Sequence, residues 1–266
     1  MNLIRRYTRL YKIFATQFLK SLMQSKVDFF IGLLGFFLSQ ISGIIFLMLV
    51  FKQIPDLNGY RFNQLIFIYG FAQIPRGLDH LFTDNIWMLS MRMVIRGEFD
   101  RYLLRPMNLF FQLICDRFQA DAIGELLVGF ALVAISIGNG TVPVTFLNVL
   151  LFIISMVAGA VIYTSIKLFF ASLAFWIKDS IGILQMGYNF SDFAKYPISI
   201  YAKPIRILLT WILPFAFVAF YPASFFLSKM NALSTIGIEV ILAFVSWTIA
   251  YAVFKKGTTI YESSGN

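Results

Sequence analysis

The sequence predicts an all-α integral membrane protein: six transmembrane helices, an N-terminal amphipathic interfacial helix, a short helix in a cytoplasmic loop, and short re-entrant helices before the last span. Three observations predict it. The 266 residues are 59% hydrophobic and only 13% charged, whereas a water-soluble domain needs about a quarter charged residues to cover its surface. Apolar runs of about 20 residues, the length that crosses a hydrocarbon core, recur along the chain. The Lys and Arg residues lie between those runs rather than on a module of their own. The net charge of +9 therefore points to membrane lipids with anionic headgroups. Nucleic acid is not an expected partner, because it needs basic residues gathered on one face.

In residues 1–26, Leu3, Tyr7, Leu10, Phe14, Phe18 and Leu22 share one helical face, and Arg5, Arg9, Lys12, Thr16 and Lys20 share another. That two-sided pattern predicts a helix lying in the interface with its cations at headgroups. The alternative is an amphipathic helix packed on a soluble partner. The first span covers residues 27–51 and the second 62–82. The third covers 122–137 and continues a helix that starts in water near Leu109. The fourth is long, 145–177, and the last is 235–254. Together 27–254 form the six-span bundle and 255–266 a cytoplasmic tail, all in a single transmembrane domain without internal repeats. The first 26 residues lack the apolar core and cleavage site of a secretory signal.

The stretch between Asp179 and Leu227 allows two readings. In one, residues 180–193 are the fifth crossing and two re-entrant helices follow on the far side. In the other, 205–227 cross and 179–203 stay at the cytoplasmic surface. Pro197, Pro204, Pro214 and Pro222 cut the segment into pieces too short to span, which favours the first reading. Parity is the same either way, so both termini share a side. Fourteen Lys and Arg lie on that side against three or six opposite, which makes the termini cytoplasmic.

The loop between the second and third spans carries Ile95-Arg-Gly-Glu-Phe-Asp-Arg-Tyr-Leu-Leu-Arg-Pro-Met-Asn108. Gly97 and Pro106 bound a predicted helix of about two turns. Glu98 and Asp100 sit at its positive end and Arg105 at its negative end. Phe99, Tyr102 and Leu103 share a face, an aromatic knob that suits docking into a groove on a cytosolic protein. Packing of the same face against its own bundle is the alternative.

This run resembles the signature loop of a bacterial family of ABC-transporter permeases of the type-2 exporter class. Tyr196-Pro-Ile-Ser-Ile-Tyr, Ile212-Leu-Pro-Phe-Ala-Phe and Tyr221-Pro-Ala resemble the same family's segment of outer re-entrant helices. The resemblance covers nearly the whole chain. It implies the membrane half of an exporter that is not itself an enzyme, and the chain indeed has no Gly-x-x-x-x-Gly-Lys-Ser/Thr phosphate cradle. ATP and Mg would be bound by separate cytosolic ABC ATPase subunits in two copies, and the chain itself would hold no cofactor. A second permease subunit, identical or paralogous, would complete the pathway in a bacterial plasma membrane. Glu98, Phe99, Asp100, Tyr102, Leu103, Arg105 and Pro106 would form the coupling helix. By the same resemblance the second and fifth spans line the path, making Phe67, Phe71, Gln73, Met186, Asn189 and Phe193 substrate-path candidates. An aromatic wall suits a hydrophobic or amphiphilic substrate.

Several ionisable residues fall within or at the edge of spans: Arg76, Asp79, His80, Asp84, Arg117, Asp121, Glu125 and Lys167. Such groups are expensive in an apolar setting unless paired. Arg117 and Asp121 stand one helical turn apart and are expected to pair directly. Lys167 is expected to reach Glu125 or Asp79, and Glu239 to meet Lys203 or Arg206. Ser39 with Gly43, and Ser155 with Gly159, are small-residue spacings that allow close helix approach. One Cys, Cys115, and one His, His80, supply neither a disulfide framework nor a zinc site. They also leave a membrane-embedded lipid enzyme without catalytic groups. A proton-coupled secondary transporter, using the buried charges as a relay, is the remaining alternative, although its usual inverted repeat is absent.

Overall fold

A computed structural model describes residues 9–14, 16, 17, 20, 26–117, 119 and 122–263. Residues 9–14, 16, 17 and 20 are helical. Leu3, Arg5, Tyr7, Phe18 and Leu22 of the expected amphipathic faces lie outside the described residues. From Lys26 onward the helices are α1 (Lys26–Gln53), α2 (Phe62–Thr83), α3 (Ile86–Met88), α4 (Asp100–Leu103), α5 (Leu109–Cys115), α6 (Ala122–Gly138), α7 (Phe146–Ser172), α8 (Ala174–Ile177), α9 (Ile181–Asn189), α10 (Lys203–Ile207), α11 (Phe220–Phe226) and α12 (Ile238–Ile260). Among the described residues there is no strand, only an isolated bridge between Leu57 and Tyr60.

Three stretches are long and apolar enough to cross a bilayer: Phe29–Gln53, Phe146–Ile177 and Leu233–Ile260. The chain is an all-α membrane protein. These stretches turn apolar side chains such as Ile41, Val157 and Phe244 outward, as lipid contact requires. The inner helices read differently. α2 has 22 residues and is buried along most of its length while carrying Arg76, Asp79 and His80, and α6 has 17 residues. Protein neighbours shield them, so their sequences need not be uniformly apolar.

Contacts give each leg its direction. Phe51 meets Phe62 at one end of the bundle, the Tyr60 end. Leu33 and Phe36 of α1 crowd Gly124 toward the other, the Tyr102 end. α2 and α6 are antiparallel and pack backbone to backbone. A Cβ on Gly129 would stand 3.0 Å from the Gly70 carbonyl oxygen, so this approach needs glycine. α7 and α12 are parallel, because Ser155 bonds Glu239 near one end and Phe175 packs on Phe254 near the other.

The expected continuous helix from Leu109 through the third span is broken. α5 ends at Cys115, and residues 116, 117 and 119 are not helical. Asp116 instead turns its carboxylate to Arg101 and the Tyr102 hydroxyl, at 3.0 and 2.7 Å. Gln112 bonds the Tyr102 and Met107 carbonyls, so α5 belongs to the loop and not to the span.

The fifth leg runs the full length of α2. Ser180 bonds Ser90 at the Tyr102 end, Tyr188 bonds His80 midway, Asp192 bonds Arg76, and Ser199 accepts from Asn58 at the Tyr60 end. α9 covers only part of this distance. A 3-10 turn, Phe190–Lys195, supplies the rest with its longer rise per residue.

The following pair, Lys203–Ile212 and Phe215–Phe226, bends by 72° at Pro214. Its apex lies deep, with Phe215 against Tyr163 at 5.3 Å between ring centres. Both arms return to the Tyr60 end: Tyr201 packs on Phe193, and Ser224 bonds the Tyr60 hydroxyl at 3.0 Å. This pair therefore enters and leaves by one end, and residues 180–199 make the crossing. Pro204 starts α10 where a missing N–H does no harm, and Pro222 lies in the first turn of α11 for the same reason.

Candidate functional site

Two features stand out: the loop at the Tyr102 end, and a chain of ionisable side chains inside the bundle. In the loop, the helix is shorter than its two predicted turns. Asp100–Leu103 makes one turn, preceded by Gly97 at φ +69°, a left-handed conformation that strains any residue with a Cβ. Of the two readings of the aromatic face, outward docking fails and packing against its own bundle holds. Phe99 and Tyr102 are both 0% exposed and form the centre of a second core with Met93, Leu113, Leu168 and Phe254. Phe99 packs edge-on against Phe175 at 5.2 Å and Tyr261 at 5.1 Å. One turn of helix has two faces, and the aromatic one is drawn inward by apolar burial.

What the loop turns outward is Leu103, Leu104, Arg105 and Pro106, with Leu104 84% exposed. Glu98 pairs with Arg92 at 3.2 Å, and Asp100 accepts from Ser263 at 2.5 Å. The C-terminal residues thus clasp the loop. Burial pushes the Tyr102 hydroxyl up to about 12, helped by its bond to Asp116. Tyr261 rises to about 12 through burial and Asp100. Both stay neutral at physiological pH, and Tyr102 donates to Asp116.

Inside the bundle, Lys167 of α7 and Asp79 of α2 form an ion pair of 2.8 Å, both side chains 0% exposed. Of the two partners expected for Lys167, the structure selects Asp79. The Asp79 carboxylate also accepts from Thr83, Thr164 and Tyr188 at 2.6 to 2.9 Å. Glu125 is taken elsewhere: it lies 3.1 Å from His80 and 3.7 Å from Arg76. Arg76 continues to Asp192 at 2.8 Å, and Asp192 to Lys195 at 2.8 Å. The Tyr188 hydroxyl, bonded to both Asp79 and His80, joins these groups into one polar chain from Lys167 to Lys195. Asp121, the expected partner of Arg117, lies outside the described residues. Glu239 meets neither Lys203 nor Arg206. Its buried carboxylate accepts from Ser155 at 2.6 Å, and its other oxygen has no hydrogen-bond partner among the described residues.

The six path candidates do not converge. Phe67 and Phe71 are buried against Phe152 and Phe226 of neighbouring elements, where they serve the apolar core. Gln73, 1% exposed, donates to Gln40 of α1 at 2.7 Å. Met186, Asn189 and Phe193 lie on the outer face of the fifth leg and line a shallow groove with Gly182 and Gln185. A polar cleft of about 460 Å³ opens instead between α1, α2, α6 and the 190–196 turn, lined by Gln40, Tyr69, Arg76, Glu125, Asp192 and Lys195. Sequence reasoning missed Tyr188, Thr164, Asp192 and Lys195. The i, i+3 spacing of Asp192 and Lys195 is the one signal in the sequence that could have pointed to them. Gly43 and Gly159 do mark close contacts, with Tyr69 and Pro75 respectively.

No curated protein sequence shows significant similarity to the chain. A family does match. The loop at one end, the re-entrant pair at the other and the bundle between them, apart from the first turns of α1, fall within residues 37–265, matched by the family model described as ABC-2 family transporter protein, and the chain belongs to that family as a membrane transport subunit, an ABC-transporter permease.

Proposed function

We propose that the chain is the membrane half of an ATP-driven exporter in a bacterial plasma membrane, with both termini in the cytoplasm. Two copies of a cytosolic ATPase would bind ATP and Mg and grip the loop at the Tyr102 end. A second permease subunit would close the pathway, with α2 and the 180–199 leg lining it. The observation that carries this reading is the wiring of the loop. Phe99 and Tyr102 lock it to α7, α8 and α12, and Ser90 ties it to the start of the fifth leg. A force applied to Leu103, Leu104 and Arg105 from outside reaches three legs through packed side chains. The sequence expectation placed the knob on the motor, whereas this arrangement roots the knob in the bundle and offers the aliphatic rim.

The test is a reconstituted complex with the co-expressed ATPase. Leu104→Glu introduces a charge on an 84% exposed position, so the fold is expected to stay intact while substrate-stimulated ATP hydrolysis drops about tenfold or more. Unchanged stimulation in a properly assembled complex rules the coupling surface out. The polar chain from Lys167 to Lys195, bridged by Tyr188, favours a second reading, a proton-coupled carrier. Purified permease alone in proteoliposomes separates the two, since a carrier transports on a proton gradient without any ATPase.

A further inference from the structure

Arg76 and Lys195 converge on a single oxygen. Arg76 Nη1 and Lys195 Nζ each lie 2.8 Å from Asp192 Oδ1, and all three side chains line the polar cleft. The two cations are mostly covered, at 21% and 15% exposure, while Asp192 is 56% exposed. It rides on the short 3-10 turn Phe190–Lys195 rather than on a long helix. Within this trio the anion is the part free to leave. Deeper in the bundle, the pairs Asp79–Lys167 and Glu125–His80 close without it. Glu125 also stands behind Arg76, but at 3.7 Å and shared with His80. That contact is made by the buried Nε of Arg76, which lies beyond hydrogen-bond reach of Glu125 and has no acceptor among the described residues.

We propose that the Arg76–Lys195 pair is a recognition site for an anionic group, a phosphate or carboxylate, and that Asp192 is its built-in competitor. An incoming anion displaces the Asp192 carboxylate and takes charge-assisted bonds from both cations. Tyr69, whose ring lies 5.8 Å from Lys195 Nζ, and Phe36 on α1 form the less polar side of the cleft. That pairing of a charged seat with an apolar wall fits the headgroup end of an anionic amphiphile. The inference rests on α2 and the 180–199 leg lining the pathway, and it assigns the substrate class there.

The experiment measures binding to the purified full chain in dodecyl maltoside, using dodecyl phosphate, inorganic phosphate and dodecyltrimethylammonium. Dodecyl phosphate is expected to bind. Lys195→Gln and Arg76→Gln each weaken it about tenfold, and Asp192→Asn tightens it about tenfold. Lys195→Gln and Asp192→Asn alter partly exposed groups, so they carry the test if Arg76→Gln fails to fold. Binding of inorganic phosphate as well points to a free anion, and binding of dodecyl phosphate alone to a lipid-borne one. Both support the site. Equal or tighter binding of dodecyltrimethylammonium, or weakening by Asp192→Asn, overturns it. ATPase stimulation in the assembled complex isolates the pathway reading. If binding follows the expected pattern yet Lys195→Gln leaves stimulation unchanged, the anion site stands and the pathway assignment falls. If Lys195→Gln abolishes stimulation by every substrate while no anion binds, the pathway stands and the anion site falls.

Discussion

Two ion pairs sit on the same helix, α2, and they are built for different purposes. Asp79 meets Lys167 with both side chains fully buried and both carboxylate oxygens engaged, Oδ1 by Thr83 and Thr164 and Oδ2 by Tyr188. Arg76 meets Asp192 less than one helical turn away, but there the carboxylate is mostly exposed and shared with Lys195. The difference lies in the partner element. Lys167 comes from α7, a 27-residue helix that cannot move one side chain without repacking its neighbours. Asp192 comes from a six-residue turn facing an open cleft. A closed pair fixes the relative position of two legs, and an open pair can exchange its members.

The sharpest way to break this comparison is to remove one member of the closed pair. Lys167→Leu leaves Asp79 charged and uncompensated in the interior, which is expected to destabilise the fold by about 3–5 kcal/mol. The readout is the denaturation midpoint in detergent. Combining it with Asp79→Asn should recover most of the loss, because the uncompensated charge disappears. A single variant as stable as the wild type would mean that the pair holds nothing in place.

A similar loss is expected from the loop. Phe99→Ala removes a fully buried ring from the core shared by Phe175, Tyr261 and Phe254, at a cost of about 3–5 kcal/mol. Loss of ATPase coupling in that variant would therefore report damage to the loop as a whole, not a missing docking contact. If Phe99→Ala instead leaves stability unchanged, the ring is not rooted in the bundle as described.

The sequence showed much of this and hid the rest for identifiable reasons. Long apolar legs such as Phe146–Ile177 announce themselves, because lipid imposes one composition on every exposed position. The crossing at 180–199 does not, since Asp192 and Lys195 neutralise each other against α2 and so escape the hydropathy signal. Proline spacing was enough to suggest the re-entrant pair, because Pro214 and Pro222 exclude an unbroken helix. The direction of Phe99 was left open between docking outward and packing on its own bundle. A single helical turn offers no long periodic pattern, and which face is buried depends on Phe175 and Tyr261, remote in sequence. Residue type marked Asp79 and Lys167 as needing partners, but only packing could choose between Asp79 and Glu125.

Smaller effects probe the remaining buried carboxylate. Among the described residues, Glu239 has Ser155 as its one hydrogen-bond donor and no cation beside it. Ser155→Ala strips that donor from a buried acceptor and is expected to destabilise by about 1–3 kcal/mol. Glu239→Gln keeps the acceptor and should change the denaturation midpoint less. A larger loss for Glu239→Gln than for Ser155→Ala would show that the charge of Glu239, and not its hydrogen bond, matters to α7 and α12.

The smallest change in stability is expected at the open pair. Asp192→Asn keeps the shape of the side chain and one hydrogen-bond acceptor for Arg76 and Lys195. It removes a charge that is already 56% exposed. Exposed pairs contribute about 1 kcal/mol or less, so the denaturation midpoint should barely move. Arg76 is then left with Glu125 at 3.7 Å while Lys195 loses its ion-pair partner, and the residual loss should grow as salt is lowered, because screening is what separates the two cations. Raising the salt concentration should restore wild-type stability. A salt-independent loss approaching that of Lys167→Leu would place Asp192 among the structural charges. The two pairs on α2 would then be alike, and the cleft would have no exchangeable anion to displace.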